Sequence, residues 1–110
     1  MKQYVIDGLK PEEHKKLKEY LDRNLEASPL AELYWLQLDR EILGPMQKSH
    51  EECAPHLFAL KLEDTYLACE FLVRIKKHIK CDCMGYATSE QRDWLIETVD
   101  SILIKLNIDI

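Results

Sequence analysis

The second half of the chain alternates between apolar and polar positions, and this pattern predicts β-strands. The alternation runs from Phe58 to Leu62 and resumes from Leu67 to Val73, on the other side of Asp64-Thr65. A two-residue loop at Asp64-Thr65 predicts a hairpin in which each inward-facing residue meets another inward-facing residue. The predicted pairs are Leu62 with Leu67, Leu60 with Cys69, and Phe58 with Phe71.

The next turn is predicted in the same way. A two-residue loop at Lys76-Lys77 would mix apolar and polar faces, whereas a three-residue loop over Lys76 to His78 keeps them separate. The longer loop predicts a three-stranded antiparallel meander with three cysteines on its apolar face. The predicted pairs are Val73 with Cys81, Phe71 with Cys83, and Cys69 with Gly85.

Two helices are predicted outside this meander. Pro11 suits the first turn of a helix that extends to Leu25. Thr88 is a good N-cap, with Gln91 three residues later, for a helix over 89–106. Each helix has one apolar stripe, which it must bury against another layer.

The remaining elements complete a fold. Tyr4 to Ile6 is a short predicted strand, and residues 33–38 favour a strand over a helix spanning 28–43. Residues 44–55 form a polar connection with a helical turn near 47–53. The sequence therefore predicts an α+β fold, a two-layer sandwich with a mostly antiparallel sheet in the order β-α-β-β-β-β-α and both helices on one face.

Length and charge narrow the class of protein. The chain has 110 residues, which suits one domain over residues 1–110, and its formal net charge is −5. That charge argues against a nucleic-acid partner, and the one basic cluster, residues 74–80, is better explained as a hairpin tip. The absence of a secretory signal and of a long apolar run predicts a cytoplasmic protein with no membrane partner and with reduced thiols.

The first candidate for chemistry is the motif Cys81-Asp82-Cys83, with His78 and Cys69 near it in the predicted sheet. Cysteine and histidine are ligands that zinc prefers. On a regular strand, however, residues two apart are separated by roughly 6.5 to 7 Å, too far for two zinc-bound sulfurs unless the strand bulges. Packing in the core is therefore the favoured interpretation of these cysteines.

The second candidate lies in the polar connection, where His50 and His56 flank Cys53 at equal spacing. Three such ligands could hold zinc, or the thiol could act as an activated nucleophile. Pro55 disfavours a helix that would bring His56 onto the same face. A metal- or thiol-dependent site at His50, Cys53 and His56 is therefore an alternative hypothesis.

The leading hypothesis is a small non-enzymatic interaction domain with no cofactor. The outward face of the predicted sheet carries apolar and aromatic residues among its charges, a composition found at protein interfaces. This face predicts a homodimer or another protein partner. The candidate contact residues are Trp35, Leu72, Met84, Tyr86 and Trp94.

Overall fold

A computed structural model of the chain describes residues 2–29, 32–75, 81 and 83–109. The described helices are α1 (Pro11–Asn24), α2 (Pro45–Ser49) and α3 (Ser89–Lys105), with 3-10 turns at Arg40–Ile42 and Glu51–Cys53. The described strands are β1 (Gln3–Ile6), β2 (Glu26–Ala27), β3 (Leu33–Gln37), β4 (His56–Leu62), β5 (Leu67–Glu70), β6 (Leu72–Ile75) and β7 (Gly85–Tyr86). The predicted α+β class is confirmed.

The two long helices begin where the sequence predicts. The backbone N–H of Lys10 donates to Glu13 Oε1 at 2.9 Å at the start of α1. Thr88 and Gln91 form a reciprocal capping box at the start of α3, with distances of 3.2 and 3.1 Å. These contacts satisfy amide groups that the first turn of a helix leaves without partners.

The sheet is antiparallel, with the order β2-β3-β4-β5-β1, and β6 pairs with both β4 and β7. The predicted register between β4 and β5 is confirmed, because Leu60 lies opposite Cys69 and Leu62 lies opposite Leu67. Strands β5 and β6 therefore border the same side of β4, one after the other.

The predicted pair of Phe58 with Phe71 is wrong, because the chain bulges between β5 and β6. The predicted register would place Val73 opposite His56. Beyond the bulge, His56 instead lies opposite Ile75, which is a shift of two residues. At the bulge, the N–H of Phe71 donates to the carbonyl of Lys2 at 3.1 Å, and its carbonyl accepts from Ala87 at 2.7 Å. Phe71 at the bulge is thus hydrogen-bonded both to the residue before β1 and to the residue after β7.

The predicted register of the third strand is also wrong. Val73 lies opposite Gly85 rather than Cys81, and Leu72 lies opposite Tyr86. Cys81 and Cys83 precede β7 and belong to no strand. The predicted loop over Lys76 to His78 falls outside the described residues.

The main core lies between α1, α3 and one face of the sheet. Leu17 of α1 and Leu95 of α3 are fully buried with Phe58 and Leu60 of β4. A second, smaller cluster of buried residues lies at the β6–β7 end of the molecule and contains Cys53, Ile75 and Cys83. In the described ranges, no helix combines the length and the apolar character needed to cross a membrane.

Candidate metal centre

Four potential metal ligands meet in the smaller cluster. The ligand atoms of His50, Cys53, Cys81 and Cys83 all lie within 4.8 Å of one another. Cys81 Sγ is 2.8 Å from His50 Nδ1 and 3.6 Å from Cys53 Sγ. Two sequence motifs, His-x2-Cys in the connection and Cys-x-Cys before β7, therefore converge on one point.

The first pair is positioned by short helical turns. Helix α2 ends at Ser49, and the following 3-10 turn begins directly after His50. The N–H of Cys53 donates to the carbonyl of His50 at 3.0 Å, which closes a tight turn between the two ligands. A turn of this kind brings side chains three residues apart to the same side.

The second pair is positioned by a turn rather than by a strand. The strand spacing that argued against zinc binding by Cys81 and Cys83 therefore does not apply. The N–H of Met84 donates to the carbonyl of Cys81 at 3.0 Å, so the backbone folds back across the two cysteines. The spacing of roughly 6.5 to 7 Å that a strand imposes on alternate residues does not apply in a turn. Both sulfurs can therefore approach one ion.

The four cysteines occupy different environments. Cys69 lies fully buried in the main core, as predicted, and burial raises the pKa of its thiol. Cys83 is buried in the smaller cluster, where burial and the neighbouring Cys81 raise its pKa to about 12. Cys81 is half-buried, and the backbone amide of Cys83 lowers its pKa to about 7, with help from the Cys83 side chain and from His50. Burial also raises the pKa of Cys53.

Two buried glutamines tie this site to the rest of the fold. Gln47 Nε2 donates to the carbonyl of Cys83 at 3.5 Å, and Gln47 Oε1 accepts from Gln91 Nε2 at 2.8 Å. Gln91 also donates to the carbonyl of Ile42 at 2.9 Å. The network therefore joins the N-terminus of α3 to residues 42–47 and to the turn from Cys81 to Met84. Networks of this kind hold the ligands of metal sites in position.

The ligand set suits a single tetrahedral ion. Three sulfurs and one imidazole nitrogen are a set that structural zinc sites use, with Zn–S bonds of about 2.3 Å. Tetrahedral bonds of that length place two sulfurs about 3.8 Å apart, and Cys53 Sγ lies 3.6 Å from Cys81 Sγ. His50 Nδ1 and Cys81 Sγ, which lie in hydrogen-bond contact at 2.8 Å, would have to separate by about 0.7 Å to bind the same ion. Four protein ligands fill the coordination sphere, so the arrangement suits a structural site rather than a catalytic one.

His56 does not belong to this ligand set. It lies on β4 with its side chain buried, in the wall of a cleft of about 810 Å³, and neither ring nitrogen has a hydrogen-bond partner among the described residues. Burial and, secondarily, the nearby His50 lower the pKa of His56. The structure therefore keeps His50 and Cys53 together, as predicted, and replaces His56 by Cys81 and Cys83.

The predicted contact residues do not share one surface. Trp94 lies on the helical side, with its ring stacked on Phe58 at 6.3 Å between centroids. Trp35 lines a depression of about 390 Å³ on the opposite face of the sheet. The other three lie around β6 and β7: Met84 packs on the smaller cluster, and Leu72 pairs with the exposed Tyr86. A protein partner remains a prediction.

Sequence reasoning missed part of the site. It treated the two ligand pairs as separate candidates, and it assigned neither Gln47 nor Gln91 to the site. The two closely spaced pairs, His-x2-Cys and Cys-x-Cys, are the signal that could have joined them, because structural zinc sites are commonly built from two such pairs. No family model, curated protein or solved structure matches this chain.

Proposed function

We propose that the protein is a zinc-stabilised domain, in which one zinc ion bound by His50, Cys53, Cys81 and Cys83 fixes the β6–β7 end of the sheet. The convergence of these four ligand atoms within 4.8 Å carries the proposal. They come from two segments far apart in sequence, so chance proximity along one turn does not explain the cluster.

The size of the smaller cluster supports a stabilising role for the metal. Its buried members are Cys53, Ile75 and Cys83, with Cys81 and Met84 packed against them. Burying one large apolar side chain contributes only about 1.5–3 kcal/mol, and Ile75 is the one large aliphatic residue among the buried three. By contrast, structural zinc in small peptides contributes about 10–16 kcal/mol of apparent binding free energy.

The proposed role is in binding rather than in catalysis. A metal centre with four protein ligands leaves no open position at which a substrate or water could be activated. The metal would instead hold the β6–β7 edge, where Leu72 and Tyr86 lie opposite each other and Tyr86 is 55% exposed. We infer that this edge contacts a second copy of the chain in a reducing compartment such as the cytoplasm.

Elemental analysis of protein purified without chelator tests the metal centre. We expect about one zinc atom per chain, and far less than one in Cys81→Ala or Cys83→Ala. Cys69→Ala is the matched control, because Cys69 is buried in the main core away from the cluster. Zinc absent from the wild-type protein, or lost equally in the control, would contradict the proposal.

Sedimentation of the zinc-loaded protein tests the interaction role separately. We expect a concentration-dependent dimer that Leu72→Glu disrupts, since a buried unpaired charge opposes association. Glu19→Lys, at an exposed site on α1, should leave the dimer unchanged. A monomer at all concentrations would remove the self-association while leaving the zinc site in place.

A further inference from the structure

We propose that Cys81 is a site of oxidation by hydroperoxides and that Cys53 resolves it by forming a disulfide. The two sulfurs lie 3.6 Å apart, and among the described cysteines Cys81 is half-buried whereas the other three are buried. The consequence for the metal, which is release of zinc, rests on the proposed function.

The geometry favours this pair of cysteines. A disulfide requires an S–S distance of about 2.05 Å, so the two sulfurs must approach by roughly 1.5 Å. Cys53 lies at the end of a short 3-10 turn, and Cys81 lies outside any strand, so neither is held by a sheet ladder. A bond between Cys81 and Cys83 would close a very small ring across one residue, and such departures from normal disulfide geometry are strained.

The reaction balances with hydrogen peroxide as the oxidant. The Cys81 thiolate attacks one peroxide oxygen, an S–O bond forms, the O–O bond breaks and hydroxide leaves. Cys53 then attacks the sulfenic sulfur of Cys81, the S–S bond forms, the S–O bond breaks and a second hydroxide leaves. The two hydroxides take up two protons as water, so two thiols lose two electrons and one peroxide gains them.

Oxidation of this pair would remove two of the four zinc ligands. A disulfide sulfur is a poor ligand compared with a thiolate, so only His50 and Cys83 would remain to hold a zinc ion, which should then dissociate. Cys69 provides an internal comparison, because it is fully buried and lies in the main core. It should resist the same treatment.

The experiment treats zinc-loaded protein with hydrogen peroxide, follows zinc release with a chromophoric chelator and maps the products by mass spectrometry. We expect a Cys53–Cys81 disulfide, release of about one zinc per disulfide, and recovery of both after addition of a thiol reductant. A disulfide between Cys81 and Cys83, or irreversible oxidation of Cys81 without a disulfide, would overturn the proposal.

Two variants sharpen the result. In Cys53→Ala the sulfenic acid of Cys81 should persist long enough to be trapped by dimedone, whereas Cys69→Ala should behave as the wild-type protein does. Mapping on the wild-type protein does not depend on either variant folding. If reduced protein supplied with zinc retains none and the Cys53–Cys81 disulfide still forms, the proposed metal centre fails and the oxidation site stands.

Discussion

Both clusters of buried residues contain cysteine, but the cysteines have different neighbours in the two clusters. In the main core, Cys69 lies opposite Leu60 and belongs, as a small apolar side chain, to the cluster that includes Leu95 and Val99. In the smaller cluster, Cys83 is also buried but lies beside two other sulfurs and an imidazole. Burial alone therefore does not distinguish a structural thiol from a ligand, whereas the neighbouring side chains do.

Removal of the metal should produce the largest difference in stability between the smaller cluster and the main core. We expect a chelator to increase hydrogen exchange at the amides of residues 47–53 and 83–86, because the smaller cluster lacks the apolar area to hold them. Amides of α3 near Leu95 should keep their protection. Equal loss of protection in both regions would contradict the division, and so would no change in either.

A cavity in the main core should destabilise the fold while leaving the zinc content unchanged. Leu95→Ala removes a fully buried side chain and should lower the free energy of unfolding by about 2–5 kcal/mol, while zinc content stays near that of the wild-type protein. Denaturant unfolding and elemental analysis measure the two quantities. Ile104→Ala, at a 75% exposed site on the same helix, is the control and should change the free energy by less than about 0.5 kcal/mol. Loss of zinc from folded Leu95→Ala would contradict the expectation that a cavity in the main core leaves the zinc content unchanged.

The glutamine network should couple the regions weakly. Gln91→Ala removes one of two donors to Gln47 Oε1, the other being the N–H of Gly44, and it removes a donor to the Ile42 carbonyl. Unmade buried hydrogen bonds cost about 1–3 kcal/mol. We expect zinc affinity to fall by about 10- to 100-fold, as measured by competition with a metal chelator. Gln37→Ala, at an exposed position, should leave the affinity unchanged. Unchanged affinity in Gln91→Ala would show that the network does not hold the ligands.

The smallest effect should come from His56. Its pKa is lowered in the folded state, so below its ordinary pKa of about 6.5 the unfolded chain binds a proton that the folded chain does not. Stability should therefore fall as the pH drops below about 6.5, and it should fall less in His56→Leu. Urea unfolding of both proteins at about pH 7.5 and about pH 5.5 measures the difference. An equal loss in both proteins would contradict the lowered pKa, since any release of zinc is common to the two.

The helices and the first hairpin could be predicted because their signals are local. Thr88 and Gln91 mark the start of α3, and the loop at Asp64-Thr65 sets Leu62 against Leu67. Both register errors, by contrast, are shifts by an even number of residues. Such a shift keeps every apolar side chain on the same face, so alternation of apolar and polar residues cannot detect it.

The sequence predicts each of the two ligand pairs of the candidate site, but not the contact between them. Each ligand pair is visible as a short spacing, but the contact between them depends on the bulge at Phe71 and on the turn from Cys81 to Met84. Neither feature has a periodicity. The assumption that Cys81 and Cys83 lie on a strand made two candidate zinc ligands resemble core residues.

X-ray absorption at the zinc edge tests the central claim most directly, because it reports the atoms bonded to the metal. We expect three sulfur ligands at about 2.3 Å and one nitrogen ligand at about 2.0–2.1 Å, from Cys53, Cys81, Cys83 and His50. Loss of one sulfur from that shell in Cys83→Ala would assign it further. A shell dominated by oxygen and nitrogen, with at most one sulfur, would contradict the proposed metal centre.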